Sequence, residues 1–293
     1  MTTRERKTSF ALLLGSTLTL TSAHAASPLP SAAACATPIT AAGTYRELSV
    51  PGAKQTEARG VNNRGDIVGF YAEAQDQLHG FLYASGVLTT IDVPDADWTV
   101  ATDINNSGTI VGYFADRGLG LAHGFVLRHG TFSTIDAPGA FVTEINAINS
   151  RGDIVGTALE PNGDTGTNVG FVRYRDSSFE RIAIGMHSYV ADINDRGDLL
   201  VNGNDLTGQF LRVHGEYHSI QACGAFAFRI TNQLHLAGTT SGPSSGSVGF
   251  VLTPRSYLTY RYPGAAFTVL RDVNASGVVV GAADNVGFLF LPR

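Results

Sequence analysis

The residues best placed to do chemistry are two histidines, each thirteen positions before an aspartate: His79 with Asp92, and His123 with Asp136. Between the members of each pair stands an X-Gly dipeptide, Ser85-Gly86 or His129-Gly130, of the kind that closes a two-residue β-hairpin. A hairpin closed there sets each His directly across the ladder from its Asp. An imidazole on a carboxylate could serve as a general base or as half of a metal site. The plainer reading is a structural cross-strand hydrogen bond, and it is preferred because a catalytic dyad rarely occupies two equivalent positions of one chain. At the equivalent positions elsewhere both partners disappear together: Val169/Ala183, Gly208/Gln221, Val248/Arg261 and Val286/Ser49.

A second set is acidic. Asp103, Asp192 and Asp272 recur at alternate repeats, where the other repeats carry Gly60, Ala147 and Arg229. Three carboxylates spaced around a ring could hold a hard cation such as Ca²⁺. The competing and favoured reading is ion pairing with Arg59, Arg229 and Arg271; no other cofactor is expected. The segments leading into this part of each repeat are the most varied in the chain. Trp98 (the sole Trp), Asp97, Phe141, Tyr189, Phe226 and Phe267 lie in or beside them and are the candidate ligand-binding residues. The same segments supply the candidate acids, bases and oxyanion contacts: His187, Glu144, Lys54, Arg229 and Arg271. Half of the aromatics could equally be core. Arg-Gly-Asp occurs at 64–66, 151–153 and 196–198, each time where a tight turn needs the glycine, so it reads as turn chemistry and not as adhesion. No Gly-x-Ser-x-Gly elbow, His-Glu-x-x-His, P-loop or Cys/His cluster is present.

What must position these residues is a repeat. Asn62, Asn105, Asn149, Asn194, Thr231 and Asn274 stand at equivalent places, and the first three open the unit Asn-x-x-Gly-x-Ile-Val-Gly. Asn can hydrogen-bond the backbone two residues on, and Gly supplies positive φ, so the unit reads as a tight turn between two strands. Each full repeat holds four short strand signals, the first running through positions near 58, 101, 145, 190, 227 and 270. Four strands in about 43 residues is the pattern of a propeller blade. The sixth repeat stops at its third strand, Phe288–Leu291, and the missing fourth lies at the other end: Tyr45–Ala53 matches Leu88–Pro94 and Phe132–Ala140. The expectation is an all-β, six-bladed β-propeller over residues 44–293, closed by its own N-terminal strand, which would pair an otherwise open edge.

His79-Gly80-Phe81 and His123-Gly124-Phe125, preceded by Asn-Asn-x-Gly-x-Ile-Val-Gly and followed by Thr-Ile-Asp-x-Pro, resemble the extracellular HAF repeat. The resemblance spans residues 44–293, is strong in the first two repeats and fades later: Val169-Gly170-Phe171, Val248-Gly249-Phe250 and Val286-Gly287-Phe288 keep Gly-Phe without the His. It implies a secreted repeat protein and carries no catalytic residue across.

The N-terminus agrees with export. Arg4, Arg6 and Lys7 precede an apolar run from Phe10 to Leu20, and Ala23-His24-Ala25 suits cleavage, so residues 1–25 read as a Sec-type signal peptide and 26–43 as an Ala/Ser/Pro-rich linker. A secreted or periplasmic location permits a Cys35–Cys223 disulfide; two unpaired cysteines is the other reading. The net charge of −5, about −7 without the leader, and the lack of a Lys/Arg cluster argue against nucleic acid. No run is long and apolar enough for a membrane helix. The leading expectation is a monomeric, non-catalytic module binding a small molecule, glycan or protein on its variable face. The alternatives are an enzyme of lyase, hydrolase or cyclase type acting on a small-molecule or glycan substrate in the same place, and a lectin.

Overall fold

The structure, a computed structural model, describes residues 38–73, 77–118, 120–162, 165–203, 208–220, 224–241 and 246–293. The leader, the linker up to residue 37, and both Cys35 and Cys223 lie outside the described residues. Six antiparallel four-stranded sheets form the ring of a six-bladed β-propeller. The innermost strands are Gln55–Val61, Ala96–Ile104, Val142–Ile148, Ser188–Ile193, Ala225–Ile230 and Thr268–Val273, one for each blade in chain order. Blade six is completed by the N-terminal strand Gly43–Leu48, paired with Val286–Pro292. Part of the stretch read as linker is also a strand: Pro38–Thr40 runs parallel to Tyr257–Tyr260 on the outer edge of blade five. The N-terminal segment therefore straps blade five to blade six.

The repeated residues are explained by packing. In Ile-Val-Gly, a Cβ at Gly69 would meet the Glu57 carbonyl and the Phe81 ring, so the glycine makes room for the phenylalanine of the Gly-Phe step. Phe81, Phe125, Phe250 and Phe288 are wholly buried and Phe171 is 3% exposed; each contributes about 1.5–3 kcal/mol by leaving water. The apolar clusters lie between successive blades, as where Val68 of blade one meets Ala101, Ile104 and Phe125 of blade two. The X-Gly hairpins carry positive φ at both residues, 52° and 81° at Ser85-Gly86, which is the type I′ turn that suits a twisted ladder.

The Asn of each repeat does two jobs. Asn149 Oδ1 accepts the N–H groups of Arg151 and Asp153, shaping its own turn. Asn149 Nδ2 then donates to the Asn194 carbonyl of the next blade at 3.2 Å. The same link runs from Asn62 to Asn105, Asn105 to Asn149, Asn194 to Thr231, and Asn274 to Asn62. At blade five, Thr231 Oγ1 shapes the turn through Gln233 and His235 but has no amide to donate onward.

Candidate functional site

Every inner strand carries a one-residue bulge at the same place, at Arg59, Thr102, Asn146, Ala191, Phe228 and Arg271. A bulge turns its residue out of the ladder and re-aims it. Around the axis this turns backbone carbonyls into the channel, and Arg229 collects them. Its Nη2 donates to the carbonyls of Arg59 and Thr102 at 3.2 and 3.1 Å, and its Nη1 to those of Asn146 and Ala191 at 3.4 and 3.5 Å. One side chain from blade five thus reaches blades one to four. It is 8% exposed.

The three ring aspartates surround this guanidinium. Arg229 lies 3.9 Å from Asp192 and 3.7 Å from Asp272, and its charge acts on Asp103 as well. Each carboxylate also staples two blades. Asp103 accepts the N–H groups of Ile104 and, in blade three, Ile148. Asp192 accepts from Ile193 and Ile230, and Asp272 from Val273 and Val61. These residues do not fit a calcium cage. The oxygens are taken by backbone donors and a guanidinium stands where the ion would sit; among the described residues no group of three His, Cys, Asp or Glu could hold a metal. One guanidinium cannot neutralise three buried carboxylates. Burial raises all three pKa values, against the pull of Arg229, with Asp192 pushed up to about 8 and Asp272 to about 6.

Arg229 and its aspartates form a septum. On the side of the Asn turns lies a cavity of about 500 Å³ walled by the repeated asparagines. On the variable face lies one of about 380 Å³, lined by Arg59, Asn146, Tyr189, Asn202, Phe226, Phe228, Arg229 and Arg271 among others. There the Arg59 guanidinium lies 4.9 Å over the Phe70 ring and that of Arg271 4.8 Å over Phe228. Both Nε atoms approach one oxygen, Glu57 Oε1, at 2.9 and 2.8 Å. Those distances allow attraction between the charges, but neither N–H points at the oxygen, so Glu57 Oε1, Arg59 Nε and Arg271 Nε make no hydrogen bond, and nor does Arg229 Nε. Across the mouth, burial raises the pKa of Glu144, partly offset by Arg59. Burial likewise raises that of Tyr113, again offset by Arg59.

Of the residues singled out from the sequence, Arg229, Arg271, Tyr189 and Phe226 line this pocket, and Glu144 stands beside it in the field of Arg59. The others lie apart from it. Trp98 packs edge-on against Tyr113 at 5.8 Å, and Asp97 accepts the Gly118 N–H. Phe141 and Phe267 are 54% and 52% exposed on outer loops, and Lys54 is exposed. His187 Nδ1 accepts the Asn168 N–H. Asn146 and Asn202 went unread; Glu57, Arg59 and Phe228 belong to the varied segments but were given no role in a site, Arg59 being read as an ion-pairing partner. The bulge is the reason, since simple alternation does not aim residues 59, 146, 228 and 271 at the axis.

The His–Asp pairs sit far from the axis, between the outer strands. His79 Nδ1 lies 3.0 Å from Asp92 and the ring stacks on Tyr71. His123 bridges Asp136 at 2.8 Å and Asp116 at 3.1 Å. Burial opposes its charge, but the two carboxylates more than compensate and raise its pKa.

No protein-family model matches the chain, and no curated protein does. Solved structures do match. One is the X-ray structure of a protein described as a putative gluconolactonase, 12% identical, with a TM-score of 0.56 over 87% of this chain and 94% of that one. The likeness is one of fold.

Proposed function

We propose that the protein is an exported enzyme of hydrolase type that acts on a small molecule in the variable-face pocket. One observation carries the reading. Among the described residues, the four buried side-chain polar atoms without an aligned hydrogen bond are Glu57 Oε1, Arg59 Nε, Arg229 Nε and Arg271 Nε, which have only ion-pair partners and belong to the arginines of this mouth and the carboxylate they share. Folded proteins pair nearly all such atoms, and each exception calls for an explanation, of which a catalytic role is one.

The chemistry follows from the side chains. A carbonyl held against Arg59 and Arg271 would have its developing oxyanion met by two guanidinia fixed on phenylalanine rings. Glu144, which burial makes more basic than an ordinary carboxylate, would take the proton of an attacking water and return it to the leaving oxygen. The fold neighbour's description makes a sugar lactone the first substrate class to try. The leader sequence and the resemblance to HAF repeats support export.

The test is hydrolysis of aldonolactones and simple aryl esters, followed by acid release. Turnover is expected in the wild type, falling about 10²–10⁴-fold in Glu144→Gln with melting temperature unchanged. Absence of turnover across the panel, or turnover indifferent to Glu144→Gln, would sink this reading and leave a non-catalytic binding module.

A further inference from the structure

We infer that the variable-face pocket takes a small carboxylate carried on an apolar ring. This rests on the reading above that the mouth is the functional site, and narrows what enters it.

The argument starts from charge. Arg59 and Arg271 share a single carboxylate, Glu57. Arg229 beneath them is matched by its own aspartates. The residues that line the pocket include these three arginines and no acid, so the lining is positively charged. Geometry says what kind of anion suits it. No hydrogen bond among the described residues uses the Nη atoms of Arg271, whose guanidinium is held 4.8 Å over the Phe228 ring and paired through Nε with Glu57. A fixed planar edge with two free donors matches a carboxylate, which takes two parallel N–H···O bonds.

The rest of the ligand is read from the walls. Phe226 is 45% exposed although it lines the cavity, and its ring lies 5.3 Å from that of Phe228. Tyr189 lines the same cavity. An apolar ring set among these aromatics would remove their surface from water. The volume of about 380 Å³ is at the small end for ligand pockets. Asn146 and Asn202 add amides that can orient a polar substituent.

The experiment is titration calorimetry of the purified protein with benzoate, benzamide, acetate and inorganic phosphate. Benzoate is expected to bind at least tenfold more tightly than its neutral isostere benzamide, and more tightly than acetate or phosphate. Arg271→Gln should weaken benzoate about tenfold or more, Arg271→Lys should restore part of it, and Phe226→Ala should weaken benzoate without affecting acetate. Equal binding of benzamide and benzoate, benzoate affinity untouched by Arg271→Gln, or phosphate binding more tightly than benzoate would overturn the inference. Binding is read here without turnover. A protein that binds benzoate and hydrolyses nothing keeps this inference and loses the enzymatic one; hydrolysis of neutral lactones without discrimination between benzoate and benzamide does the reverse.

Discussion

The two mouths of the channel are built on opposite principles. On the turn side the same residue appears blade after blade, and its polar atoms are spent on structure: Asn149 closes its own turn and clasps the next blade. On the variable side only arginine recurs at the bulges that line the pocket, at Arg59 and Arg271, and several buried polar atoms have ion pairs but no aligned hydrogen bond. Repetition marks what the fold needs six times. A site is needed once, so it is assembled from single residues on different blades: Arg59 from the first, Asn146 from the third, Tyr189 from the fourth, Phe226 from the fifth and Arg271 from the sixth. Arg229 belongs to both mouths and separates them.

Breaking that septum should give the largest effect. Arg229→Met removes the only cation that faces Asp103, Asp192 and Asp272 among the described residues, and orphans the four carbonyls it serves. Leaving buried charge unpaired costs about 3–5 kcal/mol, which urea denaturation would read. A variant within 1 kcal/mol of wild type would show that the aspartates do not depend on Arg229, and that the two cavities are not separated by a structural element.

The septum should also be visible in the pH dependence of stability. Asp192 has its folded pKa pushed up to about 8 from 3.8. Between those values the folded chain holds a proton that the unfolded chain has released, so stability falls as pH rises through this window. Asp272, pushed up to about 6, adds to the fall over the lower part. Asp192→Asn should flatten the slope between about pH 5 and 8, although its amide accepts only one of the two N–H bonds that Asp192 takes from Ile193 and Ile230. His123, whose raised pKa acts in the same sense, stays in both proteins and cancels in the comparison. Identical slopes would mean that Asp192 is ionised throughout.

These contrasts also explain what could be read from the sequence. The ring was legible because its devices are local and repeated: the Asn turn, the X-Gly hairpin, the Gly-Phe packing step, and the split blade whose missing strand stands at Gly43–Leu48. The pairing of His79 with Asp92 needs only a turn and a register, and both are short-range. The pocket was far less legible. It depends on a bulge that displaces each inner strand by one residue, and on which blades face each other across the axis. Neither leaves a local signal. The variable segments were the right place to look. Yet the sole Trp, the most conspicuous residue there, packs on Tyr113 and does not line the pocket, while the inconspicuous Asn146 and Asn202 do.

The smallest effects come from the clasp, where the comparison can be sharpened in both directions. Asn149→Ala removes the Oδ1 that accepts two turn N–H groups and the Nδ2 that reaches Asn194. With the site buried, about 1–3 kcal/mol should be lost. The seam between blades five and six is the natural counterpart. Thr231 performs the turn function and lacks the onward donor, the seam has no ring aspartate stapling blade five to blade six, and the turn-side cavity extends into it along Val251, Leu258 and Tyr260. This seam is held by an apolar cluster around Leu270 and Phe288, by hydrogen bonds of Thr239 and Ser247 with Thr268, and by the N-terminal segment, with Pro38–Thr40 on blade five and Gly43–Leu48 in blade six. Thr231→Asn should supply the missing donor to the Asn274 carbonyl, which now accepts only from Gly277, and stabilise the ring by about 0.5–1.5 kcal/mol. The gain should grow when residues up to Thr40 are deleted, because clasp and strap then hold the same joint. A Thr231→Asn protein no more stable than wild type, in both the full and the shortened chain, would show that packing between the blades, and not the strap, sets the spacing of this seam and keeps its turns too far apart to be clasped.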